Sequence, residues 1–452
     1  MQKLNLNPIC LNKKIHLKFM VFTFIIASSL LYFNDEIFAT DESNGNNIKT
    51  FTSSNLTFSD VTNITNNTKD SVYAQIVADD NNLYMIWQES VPQNLNPNNY
   101  DIFFTKSEDN GTTFSDPLNL SNNTGFSEHP QIAVSKNGIF VVWADNTDSN
   151  NTEIMFTKSE DNGTTFSKVM NLSNNPFNSN NQEISAFGEN IYVVWQDIDG
   201  SNTNSYSNLM NEAEKKPLSS ITFRASLDNG EKFNEPIQLA NNTRDSYPKV
   251  NSYKEHVYVV WNSESIKSSS ESDKNSGLFF IKSSDKGNNF ENSIRLAHYN
   301  FGESQIAVNA SDVFIVWSGL HAKDIKDIYF VQSDDNGTTF TDSYIIAEQD
   351  TNAENRNYID KINSPSNVEL PANNLAYIVW QDKISQQNQD IFIITNLKND
   401  ENMQYNKILN LSNNSGISEC PSIAISKNYV YVVWEDITPG NHEILFTRGT
   451  VS

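Results

Sequence analysis

Cysteine is almost missing from this chain: two occur in 452 residues, Cys10 and Cys420. No disulfide framework can be built from them, and the six histidines are too scattered to suggest a Cys/His metal cluster. Arginine is also scarce, with five residues against a formal net charge of −24. A surface of that sign repels phosphate backbones and anionic lipid, so nucleic acid and membrane contact are set aside as partners. No stretch of helical period interrupts the body of the chain, and there is no phosphate-binding loop and no Ser-His-Asp phrase. The apolar run from Phe19 to Phe33 is too short for a membrane span, which needs about 20 residues.

That run follows Lys13, Lys14 and Lys18 and precedes polar residues and Ala39. The order is that of an export signal over 1–39, with an uncleaved N-terminal anchor as the alternative. A linker over 40–55 then leads into one large domain over 56–452, placed outside the cell or on its surface. Asn-x-Ser/Thr triplets at Asn55, Asn63, Asn122, Asn150, Asn241 and Asn413 fit a glycoprotein in that setting.

What the chain does have is a repeat. All seven tryptophans close one apolar phrase, from LYMIW at Trp87 through Trp143, Trp195, Trp261, Trp317 and Trp380 to VYVVW at Trp434, at intervals of 52 to 66 residues. Such a period defines a repeat array. The unit reads most clearly over 131–174 as QIAVS, IFVVWAD, EIMFTKS and VMNLSNN, four short strands separated by turn residues. Both faces of the Trp strand are apolar, so neighbours must cover both. The expected fold is all-β, a seven-bladed propeller of four-stranded antiparallel blades. The last unit stops before its fourth strand, while NLTFSDVTNIT at 55–65 is a strand without a unit. The N-terminal strand is therefore expected to close the ring and leave no sheet edge free.

After the third strand the pattern Ser-x-Asp-x-Gly-x-x-Phe recurs, as SEDNGTTF at 107–114 and 159–166, SLDNGEKF at 226–233, SSDKGNNF at 283–290 and SDDNGTTF at 333–340. Glycine supplies positive φ, the carboxylates of Asp109, Asp161, Asp228, Asp285 and Asp335 accept turn N–H groups, and the Phe is expected to pin the hairpin onto the blade. These phrases resemble the Asp-box, or BNR repeat, of the sialidase/neuraminidase superfamily. The resemblance covers about 56–452 and implies a β-propeller in which the boxes are structural turns remote from the active site. It also implies an arginine triad on the substrate carboxylate, a Tyr–Glu nucleophile pair and an Asp acid. No Arg-Ile-Pro or Arg-Leu-Pro phrase exists here, and only Arg244 and Arg356 fall in connections leading to an innermost strand. The residues thus argue against catalysis where the family argues for it.

Those connections would place Glu128, His129, Glu183, Arg244, Tyr247, Glu303, Arg356, Tyr358 and Glu419 around the central mouth as candidate ligand contacts. Connections between the second and third strands vary most in length and share that face, which makes it the expected binding face. Acidic residues flank four of these loops: Glu89 with Asp101, Asp145 with Glu153, Asp382 with Asp390, and Asp436 with Glu443. Each pair could share a calcium ion; the competing reading is that they cap loop N–H groups. No cofactor is otherwise required. The sequence supports a monomeric, non-catalytic module that binds a glycan or surface protein. Alternatives are an exo-acting glycoside hydrolase of sialidase type, with Tyr247 or Tyr358 as nucleophile, and a structural envelope component.

Overall fold

The computed structural model describes residues 56–451 apart from 92–98, 148–150, 200–216, 265–275, 299–302, 323–324, 348–364, 370–374, 386, 398–407 and 427–428. Residues 1–55, where an export signal and a linker were expected, and Arg356, Tyr358 and the triplet at Asn150 lie outside the described residues. The described elements are all strands, and the repeats form antiparallel sheets, two of them sharing one, giving a β-propeller arrangement. The first sheet, for instance, runs Ser71–Asp79, Asn82–Ser90, Tyr100–Ser107, Leu118–Asn119.

Seven separate sheets were expected; six are formed, five of four or five strands and one of seven. The difference has a local cause. Strand Ile237–Tyr253 runs without a break, and Arg244 pairs with Ser219 on one side and Glu264 on the other. The fourth strand of one repeat and the first of the next are thereby one element. The innermost strands still contact one another in sequence: Ser71–Asp79, Ser127–Ser135, Asn178–Phe187, Ile237–Tyr253, Ser304–Asn309, Pro365–Glu369, Ser418–Ser426, and back to the first. Leu56–Phe58 and Thr62–Asn63 both pair antiparallel with the last strand, Glu443–Val451.

The core lies between sheets. Trp143 packs with Tyr84, Ile86 and Phe104 of the preceding sheet, and Trp87 packs with Tyr431, Val433 and Phe446 of the last one. All seven indoles are buried. Each is worth on the order of 4–6 kcal/mol of apolar burial before entropy is counted.

The Ser-x-Asp-x-Gly turns are built alike. In the first, Asp109 Oδ1 accepts N–H groups of Thr112 (3.0 Å) and Thr113 (2.9 Å), and Ser107 Oγ accepts that of Gly111 (2.9 Å). These donors hold the Asp109 carboxyl down at about 2. The Phe joins a core cluster that includes its own repeat and also bridges to the preceding one. Phe166 meets Phe104 edge-on with centroids 5.0 Å apart, and Phe114 of the first repeat meets Phe446 of the last at 5.3 Å. The turn glycine serves the same contact: a Cβ on Gly163 would stand 2.5 Å from Phe104 Cζ. The turns thus fasten one repeat to the one before it.

Candidate functional site

A ring of re-aimed side chains stands where the innermost strands begin. Their ladders slip between Val72 and Gln75, Glu128 and Gln131, Asn180 and Glu183, Ser246 and Lys249, and Glu419 and Ser422. Inside each slip sits a left-handed residue: Tyr73 (φ 54°), His129 (51°), Asn181 (51°), Tyr247 (51°) and Cys420 (50°). None is glycine, so each costs on the order of 1–3 kcal/mol that the surrounding fold must offset. A bulge turns such a side chain out of the ladder. All five, with Glu303 at the matching position, line an axial channel of about 430 Å³. Two residues further along each strand, Gln75, Gln131, Glu183, Lys249 and Gln305 line it too.

At three positions the strained backbone is held from the adjacent sheet by the residue directly after a tryptophan. Gln88 Oε1 accepts the His129 N–H at 2.7 Å, Glu435 Oε2 that of Tyr73 at 3.3 Å, and Gln381 Oε1 that of Cys420. Gln196 receives Asn181 Nδ2 at 2.6 Å and donates to the Asp245 carbonyl at 2.8 Å. Sequence reasoning passed over these four. Their only signal was Gln or Glu following Trp, and their partners in neighbouring repeats lie 39 to 49 residues away or, for Glu435, at the other end of the chain.

Burial governs the channel's titrations. Lys249 is ion-paired with Glu183; burial opposes its charge, but Glu183 and Glu303 outweigh it and raise its pKa. Burial lowers the His129 pKa, which favours the neutral imidazole. The Cys420 thiol is pushed well up by burial and by Glu435, and the Tyr73 phenol up to about 12 by burial, Cys420 and Glu435. Neither presents a ready anionic nucleophile at neutral pH.

Of the residues singled out from sequence, His129, Glu183, Tyr247 and Glu303 line the channel. Glu128 lies beside it, 3.8 Å from His129 Nδ1, and Glu419 accepts Gln389 Nε2 at 3.2 Å. Arg244 is buried within the seven-stranded sheet and is not among the residues lining the channel. Tyr73, Lys249 and Cys420 line it but were not singled out.

The acidic pairs do come together, each as direct cross-strand partners. Many of their oxygens are engaged by the Asn-Leu-Ser-Asn-Asn phrases at 119–123, 171–175 and 410–414. In one copy Asn119 Nδ2 (2.7 Å) and Ser121 Oγ (3.0 Å) donate to Asp101, while Asn123 Nδ2 (2.7 Å) reaches Asp145 of the next sheet. Asp145 also receives Ser127 Oγ, the Trp143 indole N–H and the Thr147 N–H. Asp436 is engaged in the same way, and Asp390 in the manner of Asp101. Ser173 donates to Glu153. At the join of the chain ends, Thr65 and Asn67 supply Glu443, and Asn67 also supplies Glu89. Asp382 differs: burial pushes its carboxyl up to about 6.

No family model and no curated protein matches the chain. Among solved structures it is similar to a Dyadobacter fermentans protein of unknown function, at 13% identity and TM-score 0.49 over 73% of this chain and 96% of that one. It is also similar to Trypanosoma rangeli sialidase, at 10% and 0.46 over 84% and 55%, and to a Hadza microbial sialidase, at 12% and 0.43 over 77% and 73%. The chain spans about half the length of the trypanosomal sialidase it matches. At these values the likenesses carry no inference about chemistry.

Proposed function

We propose that this chain is an exported, seven-bladed propeller that binds a glycan, or a surface protein presenting one, at its axial mouth without hydrolysing it. In this reading the seven-stranded sheet is two blades sharing one strand, and the N-terminal strands complete the last blade. The observation that carries the binding role is the ring of left-handed, non-glycine residues lining the channel. Strain repeated at one position in five strands points to a use for the side chains it aims. A cavity of about 430 Å³ suits a sugar-sized ligand, with tyrosine faces and a belt of amides to meet it.

Catalysis is the reading the same geometry disfavours. No arginine is among the described residues lining the channel, and Tyr73 and Cys420 are held in their protonated forms. The test is a glycan array probed with the purified protein, beside turnover of a fluorogenic sialoside. Binding with no release above a boiled control supports the proposal. Release that depends on Tyr247 would replace it with the exo-glycosidase.

A further inference from the structure

Three residues that follow a tryptophan hold left-handed backbone at the mouth, and one of the three titrates. Gln88 and Gln381 hold His129 and Cys420, while Glu435 holds Tyr73 from the last sheet to the first. A glutamine in this role is neutral at every pH and offers one acceptor atom and one donor. A glutamic acid matches it only while it carries a proton.

The surroundings of Glu435 decide which form the fold favours. The residue is 5% exposed. Strand Ser418–Ser426 brings it a like charge, Glu419, and the Cys420 thiol, which donates to it. Strand Ser71–Asp79 brings the Tyr73 N–H, strand Tyr100–Ser107 the Tyr100 phenol, and His442 stands just before Glu443–Val451. Burial does most to raise the Glu435 pKa and Glu419 adds to it; the two donors and His442 pull the other way and are outweighed. Ionising Glu435 therefore sets a buried carboxylate near Glu419, with no lysine or arginine ion-paired to it among the described residues. Its contact with the Tyr73 N–H is also the looser one, 3.3 Å against 2.7 Å from His129 to Gln88.

We propose that Glu435 is a positioning residue that ties the placement of Tyr73 to pH. Protonated, it stands in for glutamine and keeps the Tyr73 bulge closed; ionised, it is drawn toward water and lets that bulge open. The left-handed backbone of Tyr73, at φ 54°, stores strain that favours the opening. Because the carboxyl is raised above its ordinary value, the stability tied to it is present below that value and lost as pH rises through the raised one. The Tyr73 corner of the mouth is thus firmest in mild acid. The inference concerns how the mouth is held together and stands apart from what the mouth binds.

The test is residue-level hydrogen exchange of the Tyr73 amide, read by mass spectrometry and corrected for the intrinsic pH dependence of exchange. In the intact protein its protection is expected to fall about 10-fold or more between about pH 5 and pH 8. Glu435→Gln should flatten that profile and keep the amide protected throughout. His129 packs on the Tyr73 ring at 4.5 Å and is the competing titrating group, so His129→Gln should keep the profile of the intact protein. A flat profile in the intact protein, an unaltered one in Glu435→Gln, or one abolished by His129→Gln overturns the proposal. Melting gives a second reading: Glu435→Gln should melt above the intact protein at about pH 8 and level with it at about pH 5. A lower Tm for the variant at the higher pH would show the carboxylate to be the better partner and overturn the proposal as well.

Discussion

Removing residues 56–67 tests whether the chain's two ends form one blade. The segment contributes Leu56 and Phe58 to one inter-sheet cluster and Ile64 to the next. Part burial of three such side chains is worth about 3–5 kcal/mol together. The segment also supplies donors to Glu443 and Glu89, which are 2% and 3% exposed. Leaving two buried carboxylates short of donors costs roughly 1–3 kcal/mol each. The sum, about 5–10 kcal/mol, rivals the 5–15 kcal/mol by which a typical domain is stable at all. For nearly 400 residues at about 2.1 cal/mol/K each, it corresponds to a fall in Tm of roughly 6–12 °C. Calorimetry reads the fall, and size-exclusion chromatography should show self-association through the bared edge of strand Glu443–Val451. A peptide of residues 56–67 added back should restore part of the loss. A monomer that melts within a degree or two of the intact protein would refute the reasoning.

Further predictions concern single groups. Asp382 has its pKa raised by burial, so the stability tied to it is present below about pH 4 and lost as pH rises through about 6. Asp382→Asn should therefore stabilise by on the order of 1–3 kcal/mol at pH 7.5, with no gain at pH 4, as read by urea titration. Gly163→Ala adds a Cβ 2.5 Å from Phe104 Cζ at φ 74°, and should cost roughly 2–4 kcal/mol. Gly188→Ala, at φ 63° with nothing within 4 Å, should cost about 1 kcal/mol. Equal losses in the two variants would deny that the turns fasten neighbouring sheets. Calcium and chelator should both leave Tm unchanged, because Asn, Ser and indole donors already occupy every acidic pair but for Asp382; a chelator-reversible rise of several degrees would restore the metal reading.

The repeat was legible because its signals are local. A Trp strand flanked by turn residues and a Ser-x-Asp-x-Gly phrase each fit in eight residues or so, and both folded as read. What escaped was everything that passes between sheets. Phe166 reaches Phe104, and Gln88 reaches His129, across distances along the chain that no short pattern spans. The bulges escaped for another reason: a register slip changes no residue type, and no residue around Tyr73 marks its left-handed φ. The merged sheet escaped because Arg244 lies in a polar connection that resembles the others, yet pairs on both sides. Of the acidic pairs, the cross-strand partnership was readable from position; the Asn and Ser donors from adjoining loops were not.

The most direct measurement is equilibrium binding of an array-selected glycan to the intact protein and to Tyr73→Ala with Tyr247→Ala, with product release followed in the same samples. The account predicts a loss of about 10-fold or more in the double variant, a Tm close to that of the intact protein, and no product from either. Undiminished binding by the double variant, or sugar released by the intact protein, would contradict it.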